Sequence, residues 1–219
     1  MNPPRPRRRD PASVVLLFLI ALCTAIEAAC LMGDFGLLGG LNLRRLLVGL
    51  GAFWPNLLRG GTPVFPVQPE LMFVTYGFLH GGLLHLAFNM ITLWVLGRIV
   101  VEQAGIARFF WIYLASQIGG GAVYGMLHAG SWPMVGASGA LFGLAGAILL
   151  WIWRAQPNLA ASIAATWRIF AFLIGYNVVM YFALNGGLAW EAHLGGFLAG
   201  WLVALLVGRP DKHGRPEFR

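Results

Sequence analysis

Apolar residues in this chain fall into long, nearly unbroken runs, separated by short polar or glycine- and proline-rich stretches. Six runs stand out, at roughly 13–32, 83–102, 107–128, 138–154, 167–184 and 190–207. A membrane-crossing helix needs about 20 mainly apolar residues, so the pattern predicts six transmembrane helices. The longest connection runs about 50 residues, from Gly33 to Gly82. Its middle, Leu41 to Leu58, is apolar but irregular and edged by Arg44, Arg45 and Arg59. That part reads as a segment lying in the membrane interface. Gly60 to Pro69, with three prolines and two glycines, reads as an extended turn-rich loop. The organisation expected is a basic N-terminal tail at 1–12, a six-helix domain at 13–207 and a basic C-terminal tail at 208–219.

Composition supports lipid as the main solvent. Of 219 residues, 58% are hydrophobic and 11% charged, and mean hydropathy is +0.73. A soluble domain carries about 25% charged residues, so this chain cannot cover itself with a water-facing surface. Thirty glycines fit helices whose backbones approach closely, since lipid offers little hydrophobic drive for their association. Cys23 and Cys30, seven apart on one apolar run, are about two turns apart and cannot bridge; they read as buried thiols. The N-terminal basic region and apolar run resemble a signal peptide in order, but the run is too long and lacks a small-residue cleavage site. It is expected to stay as the first helix.

The net charge of +7 is explained by orientation rather than by nucleic acid. With the N-terminus in the cytoplasm, one side of a six-helix chain holds Arg5, Arg7, Arg8, Arg9, Arg98, Arg108, Arg154, Arg168, Arg209, Lys212, Arg215 and Arg219. The other side holds Arg44, Arg45 and Arg59. Twelve against three is a strong positive-inside bias. Both termini are therefore expected in the cytoplasm, with the starts of the runs at 83, 138 and 190 facing out.

Polar groups in membrane segments mark candidate function. Three clusters qualify: Phe78 to Met90, Gly136 to Gly143, and Ala192 to Gly200. Ser138 lies between Gly136 and Gly139, which leave room for a backbone turn and for an approaching substrate. The soluble hydrolase elbow G-x-S-x-G is not present, because position 140 is Ala. A serine hydroxyl needs an adjacent base. Among His80, His85, His128, His193 and His213, His193 is best placed, because Gly196 and Gly200 follow it at a spacing that allows intimate packing on another helix. His85 and Asn89, at i and i+4, share a helix face. They suit either as oxyanion donors or as polar stitches between helices, and spacing alone does not choose. The acids near the outer ends are Glu27 and Glu191. Glu191, two residues before His193, should point away from it, so a Ser–His dyad with no acid is expected.

Taken together, the three clusters resemble the rhomboid family of intramembrane proteases over about residues 70–207. The family's H-x-x-x-N pair matches His85 and Asn89, its G-x-S-G motif matches Gly136, Ser138 and Gly139, and its A-H-x-x-G-x-x-x-G motif matches Ala192, His193, Gly196 and Gly200. The resemblance implies a six-helix bundle of the minimal form, embedded in the cell (inner) membrane, with a cavity open to the outer face. It implies Ser138 as nucleophile and His193 as base and acid, and an oxyanion hole of the Ser138 N–H with His85 and Asn89. It implies Phe142 stacked on the catalytic histidine and His80 in a structural role. No metal or cofactor is implied. The substrates would be membrane proteins whose spanning segment is helix-destabilised near the cut; oligomeric state is left open. One departure lies in the first loop, where Leu71 and Met72 stand in place of the Trp-Arg pair of many members. Two other readings compete: a non-catalytic rhomboid-like protein that binds membrane clients, and a transporter or channel. The first typically lacks the serine or histidine; the second should show charges deep in its spans and repeated, interrupted helices.

Overall fold

The computed structural model describes residues 11–208 and is all-helical, a helical membrane protein. The expected tails at 1–12 and 208–219, with Arg5, Arg7, Arg8, Arg9, Arg209, Lys212, Arg215, Arg219 and His213, lie almost wholly outside those residues. The eight α-helices are α1 (Pro11–Asp34), α2 (Leu43–Gly51), α3 (Gln68–Thr75), α4 (Leu83–Ala104), α5 (Ile106–Leu127), α6 (Ser138–Arg154), α7 (Leu159–Ala183) and α8 (Trp190–Leu206). Each of the six apolar runs forms one long helix. By length and composition, α1, α4 and α7 are long and apolar enough to cross a membrane, and α6 and α8 are shorter apolar helices of 17 residues.

Two boundaries differ from the sequence reading. Helix α7 starts eight residues earlier than the apolar run at 167, because the Ala-rich stretch 159–166 is a good helix former and Asn158 caps it, its side chain accepting from the Ala161 N–H at 2.9 Å. The connection from Gly33 to Gly82 is also more ordered than an irregular loop. It contains α2, α3 and short 3-10 turns at Pro55–Arg59 and Tyr76–Phe78. Helix α2 has nine residues, none buried; at about 14 Å it is too short to span.

What ties this connection down is hydrogen bonding. The Gln68 amide donates to the Gly49 carbonyl and accepts from the Val64 N–H, both at 2.7 Å, and the Thr75 hydroxyl donates to the Gly51 carbonyl at 2.7 Å. Where the Trp-Arg pair was missing, Leu71 faces outward and Met72 is fully buried in a cluster with Phe53, Tyr76, Tyr124, Met134 and Ala192. An apolar side chain thus fills the space without needing a polar partner.

The other anchor is ionic. Glu27 of α1, 1% exposed, accepts two hydrogen bonds from the Arg44 guanidinium at 2.9 and 3.0 Å. The same guanidinium donates to Asp34 at 2.8 Å and to the His80 carbonyl at 2.9 Å. The charge deep in the first apolar run is therefore neutralised from the loop. Removing one partner of a buried pair strands the other, at about 3–5 kcal/mol. Arg44→Met is expected to lose about 3 kcal/mol of stability, and the double change with Glu27→Leu to recover most of it; denaturant titration of tryptophan fluorescence in micelles measures both.

The bundle is centred on α6, which packs against α5 and α8. On the α6–α8 seam a Cβ built on Gly196 would fall on the Gly139 carbonyl oxygen, and one on Gly200 on that of Gly143. Only a hydrogen on each of these α8 residues lets the two backbones touch.

Candidate active site

Helices α4, α6 and α8 all begin at the same end of the bundle, and the sequence-identified polar residues lie just before or within their first two turns. Helix α6 is about 25 Å long, short of a hydrocarbon core of about 30 Å. The chain just before it, 134–137, is irregular and mostly buried. Buried irregular backbone is tolerated only where it is satisfied within the protein, and here it is. Phe53 and Met134 exchange two backbone hydrogen bonds of 2.9 Å, and the Gly136 N–H donates to the Tyr76 carbonyl at 2.9 Å. Gly136 has φ +121, a left-handed value that favours glycine, and it turns the chain straight into α6. The first loop thereby fixes the backbone immediately ahead of Ser138.

Ser138 is the first residue of α6 and half-buried. Its hydroxyl lies 2.9 Å from Nε2 of His193, which is buried near the start of α8. The close seam at Gly139–Gly196, one residue beyond the serine and three beyond the histidine, is what brings the side chains within hydrogen-bond reach. Phe142, one turn after Ser138, stacks on the His193 ring with centroids 4.1 Å apart and planes 8° from parallel. No side chain caps the start of α6, and its first intrahelical bond runs from the Leu141 N–H to the Ala137 carbonyl. The N–H groups of the first turn therefore face the site as donors, at the positive end of the helix dipole.

His85 and Asn89 stand one turn apart at the start of α4. Nδ1 of His85 accepts from the Gly81 N–H at 3.3 Å, so in the neutral ring the proton is on Nε2. That nitrogen faces Gly136, where a Cβ would lie 2.7 Å from it. Asn89 is buried and donates one amide hydrogen to the His85 carbonyl at 2.8 Å. Both hydrogen bonds stay within the 81–89 segment, and neither residue stitches α4 to another helix. His80 is buried with its ring edge-on to His85, centroids 5.3 Å apart. Burial, and next the adjacent His85, push its pKa down to about 4, so near pH 7 it is a neutral spacer. Its backbone carbonyl is the one held by Arg44.

Glu191 does turn away from His193. It is buried and sits 3.1 Å from Nδ1 of His128, whose ring stacks on Tyr124. The imidazole nonetheless has a partner at Nδ1, an amide rather than an acid. Nδ1 of His193 lies 2.7 Å from Oδ1 of Asn177 on α7. Sequence reasoning misses Asn177 because the usual partner of a catalytic histidine is an acid, and Asn177 is an amide. The available signal was an amide side chain in the second half of a 25-residue apolar helix, which is costly in lipid without a partner.

A model of the rhomboid domain matches residues 69–210. The chain is 34% identical over 179 residues to "Rhomboid protease GluP" of Bacillus subtilis, covering 78% of this chain and 31% of that protein. It is 33% identical over 177 residues to "RHOMBOID-like protein 6, mitochondrial" of Arabidopsis thaliana, covering 78% and 52% respectively. It is 30% identical over 161 residues to "Rhomboid-type serine protease 2" of Emericella nidulans, covering 71% and 31%. The matched regions thus span about a third to a half of these relatives' length.

Proposed function

The chain belongs to the rhomboid family, and on that premise we propose that it is an intramembrane serine endopeptidase in which Ser138 is the nucleophile and His193 the general base and acid. The observation that carries the reading is the 2.9 Å separation of the Ser138 hydroxyl from His193 Nε2. In the proposed reaction His193 takes the hydroxyl proton as Ser138 Oγ attacks the scissile carbonyl. The carbonyl oxygen becomes an oxyanion, and collapse of the tetrahedral intermediate expels the amine, which receives the proton from His193. Water, deprotonated by His193, then releases the acyl group and regenerates the serine.

The oxyanion would be held by the Ser138 N–H, by Nε2–H of His85, and by the amide hydrogen that Asn89 does not spend on the His85 carbonyl. Preorganised donors of this kind need no reorganisation as charge develops. His85→Ala and Asn89→Ala are each expected to lower kcat by about 10²- to 10³-fold. Turnover of a single-span substrate in liposomes measures it, and an unchanged rate reassigns the residue to packing.

The substrates proposed are membrane proteins whose spanning segment unwinds readily near the cut, because helical peptide bonds are shielded by their own hydrogen bonds. An apolar cavity of about 520 Å³ between α7 and α8 adjoins His193 and Phe142, a surrounding suited to apolar side chains. The lysine and arginine distribution supports a cell-membrane protein with cytoplasmic termini and a site near the outer face. The direct test is labelling by a fluorophosphonate probe. Labelling of wild type that vanishes in Ser138→Ala is expected; a wild type that stays unlabelled while binding membrane clients belongs to the non-catalytic reading.

A further inference from the structure

A neutral imidazole donates at one ring nitrogen and accepts at the other. To take a proton from Ser138, His193 must have Nε2 bare and the hydrogen on Nδ1. In soluble triads a buried carboxylate makes that choice. Here Glu191 is committed to His128, so the choice falls to something else.

Three hydrogen bonds in series make it. The Leu173 carbonyl accepts from Nδ2 of Asn177 at 2.8 Å. A backbone carbonyl can only accept, so this contact fixes which end of the Asn177 amide is nitrogen. Oδ1 is thereby turned to His193, 2.7 Å from Nδ1. An amide oxygen also only accepts, which requires the hydrogen on Nδ1. Nε2 is left as the acceptor, 2.9 Å from the Ser138 hydroxyl. Every donor direction in the series follows from a group with no alternative protonation state.

The Phe142 stack cannot do this work. Ring-on-ring contact fixes the tilt of the imidazole but permits rotation within its own plane, and it does not distinguish one nitrogen from the other. A hydrogen bond to Nδ1 does both. It does so without charge, which suits the place: Asn177 shares the apolar cavity with Phe142, Leu173, Val178 and Tyr181, where an unpaired carboxylate would be costly to keep ionised.

We propose that Asn177 is a positioning residue of this site, its side-chain oxygen holding His193 in the Nδ1–H tautomer with Nε2 aimed at Ser138. The proposal rests on the reading of Ser138 and His193 as nucleophile and base. It concerns a residue outside all three motifs, on a long helix that contributes little to the packed core: Ser162 and Thr166 are its buried residues.

The test uses the full chain in detergent micelles, with Asn177→Leu, which keeps the bulk and removes the acceptor, and Asn177→Asp, which keeps an acceptor. The readouts are the fluorophosphonate labelling rate, kcat and KM on a single-span substrate, and the ¹⁵N imidazole signals of His193. In wild type the ¹⁵N signals are expected to show Nδ1 protonated. In Asn177→Leu, kcat and labelling are expected to fall about 10- to 100-fold with KM within about twofold, the loss of one orienting hydrogen bond at a general base. Asn177→Asp should recover most of the loss. Wild-type rates in Asn177→Leu would overturn the proposal, as would equal impairment of both variants. So would an Nε2-protonated His193 in wild type, which needs no variant to fold. Absence of Ser138-dependent labelling in wild type instead overturns the protease reading.

Discussion

Ser138→Ala and His193→Ala are each expected to lower the turnover of a single-span substrate by about 10⁴- to 10⁶-fold, and the double variant to be no slower than the worse single one. The serine hydroxyl is a poor nucleophile without a base to take its proton, and in the proposed reaction that base is His193, whose Nε2 lies 2.9 Å away. Alanine at 138 removes the attacking oxygen. Alanine at 193 leaves the oxygen but makes its proton undeliverable, since the other histidine at the site, His85, has its accepting nitrogen committed to the Gly81 N–H. In the proposed reaction the two act as one unit, so removing the second after the first is expected to cost little more. Substantial turnover surviving in either single variant contradicts the pairing. Losses that multiply in the double variant contradict the idea of a unit.

Gly196→Val is expected to abolish most activity by moving the site apart rather than by touching it. The added side chain would run into the Gly139 carbonyl, and backbone, unlike a flexible side chain, cannot swing away. The α6–α8 spacing has to widen. Overpacking of this kind costs about 1–3 kcal/mol or more in stability. A displacement of about 1 Å between reacting groups costs on the order of 10²-fold in rate. His193 lies one turn before Gly196 on the same helix, so the shift is carried directly to the 2.9 Å contact with Ser138. Gly175→Ala is the control. It sits mid-helix on α7 with open space around it, and is expected to leave turnover unchanged while gaining up to about 1 kcal/mol of helix propensity. Equal effects of the two substitutions would mean the α6–α8 seam is not what aligns the pair.

Much of this was legible along the chain because lipid imposes a simple rule. Every backbone group in a span must be satisfied within it, so long apolar runs become helices, and all six runs did so. The same rule makes polar residues conspicuous, which is why Ser138, His193, His85 and Asn89 could be singled out before any coordinates. The glycines at 196 and 200 even indicated that α8 would press closely on a neighbour. Legibility failed where structure came from local hydrogen bonding rather than hydropathy. The early start of α7 depends on one cap at Asn158, and the folding of the first loop depends on Gln68, Thr75 and Arg44 reaching backbone carbonyls distant in sequence.

What the sequence determined by itself, then, is the six long helices and most of the groups able to do chemistry, Asn177 excepted, because both follow from the cost of placing polar atoms in apolar surroundings. Which of those groups meet was decided only by tertiary structure. The partner of Ser138 lies 55 residues away and the partner of His193 lies 16 away, and no periodicity in the chain encodes those distances. They are set by how closely two glycine-faced helices approach and by the rotation of α7 that turns Asn177, rather than an apolar neighbour, toward the imidazole.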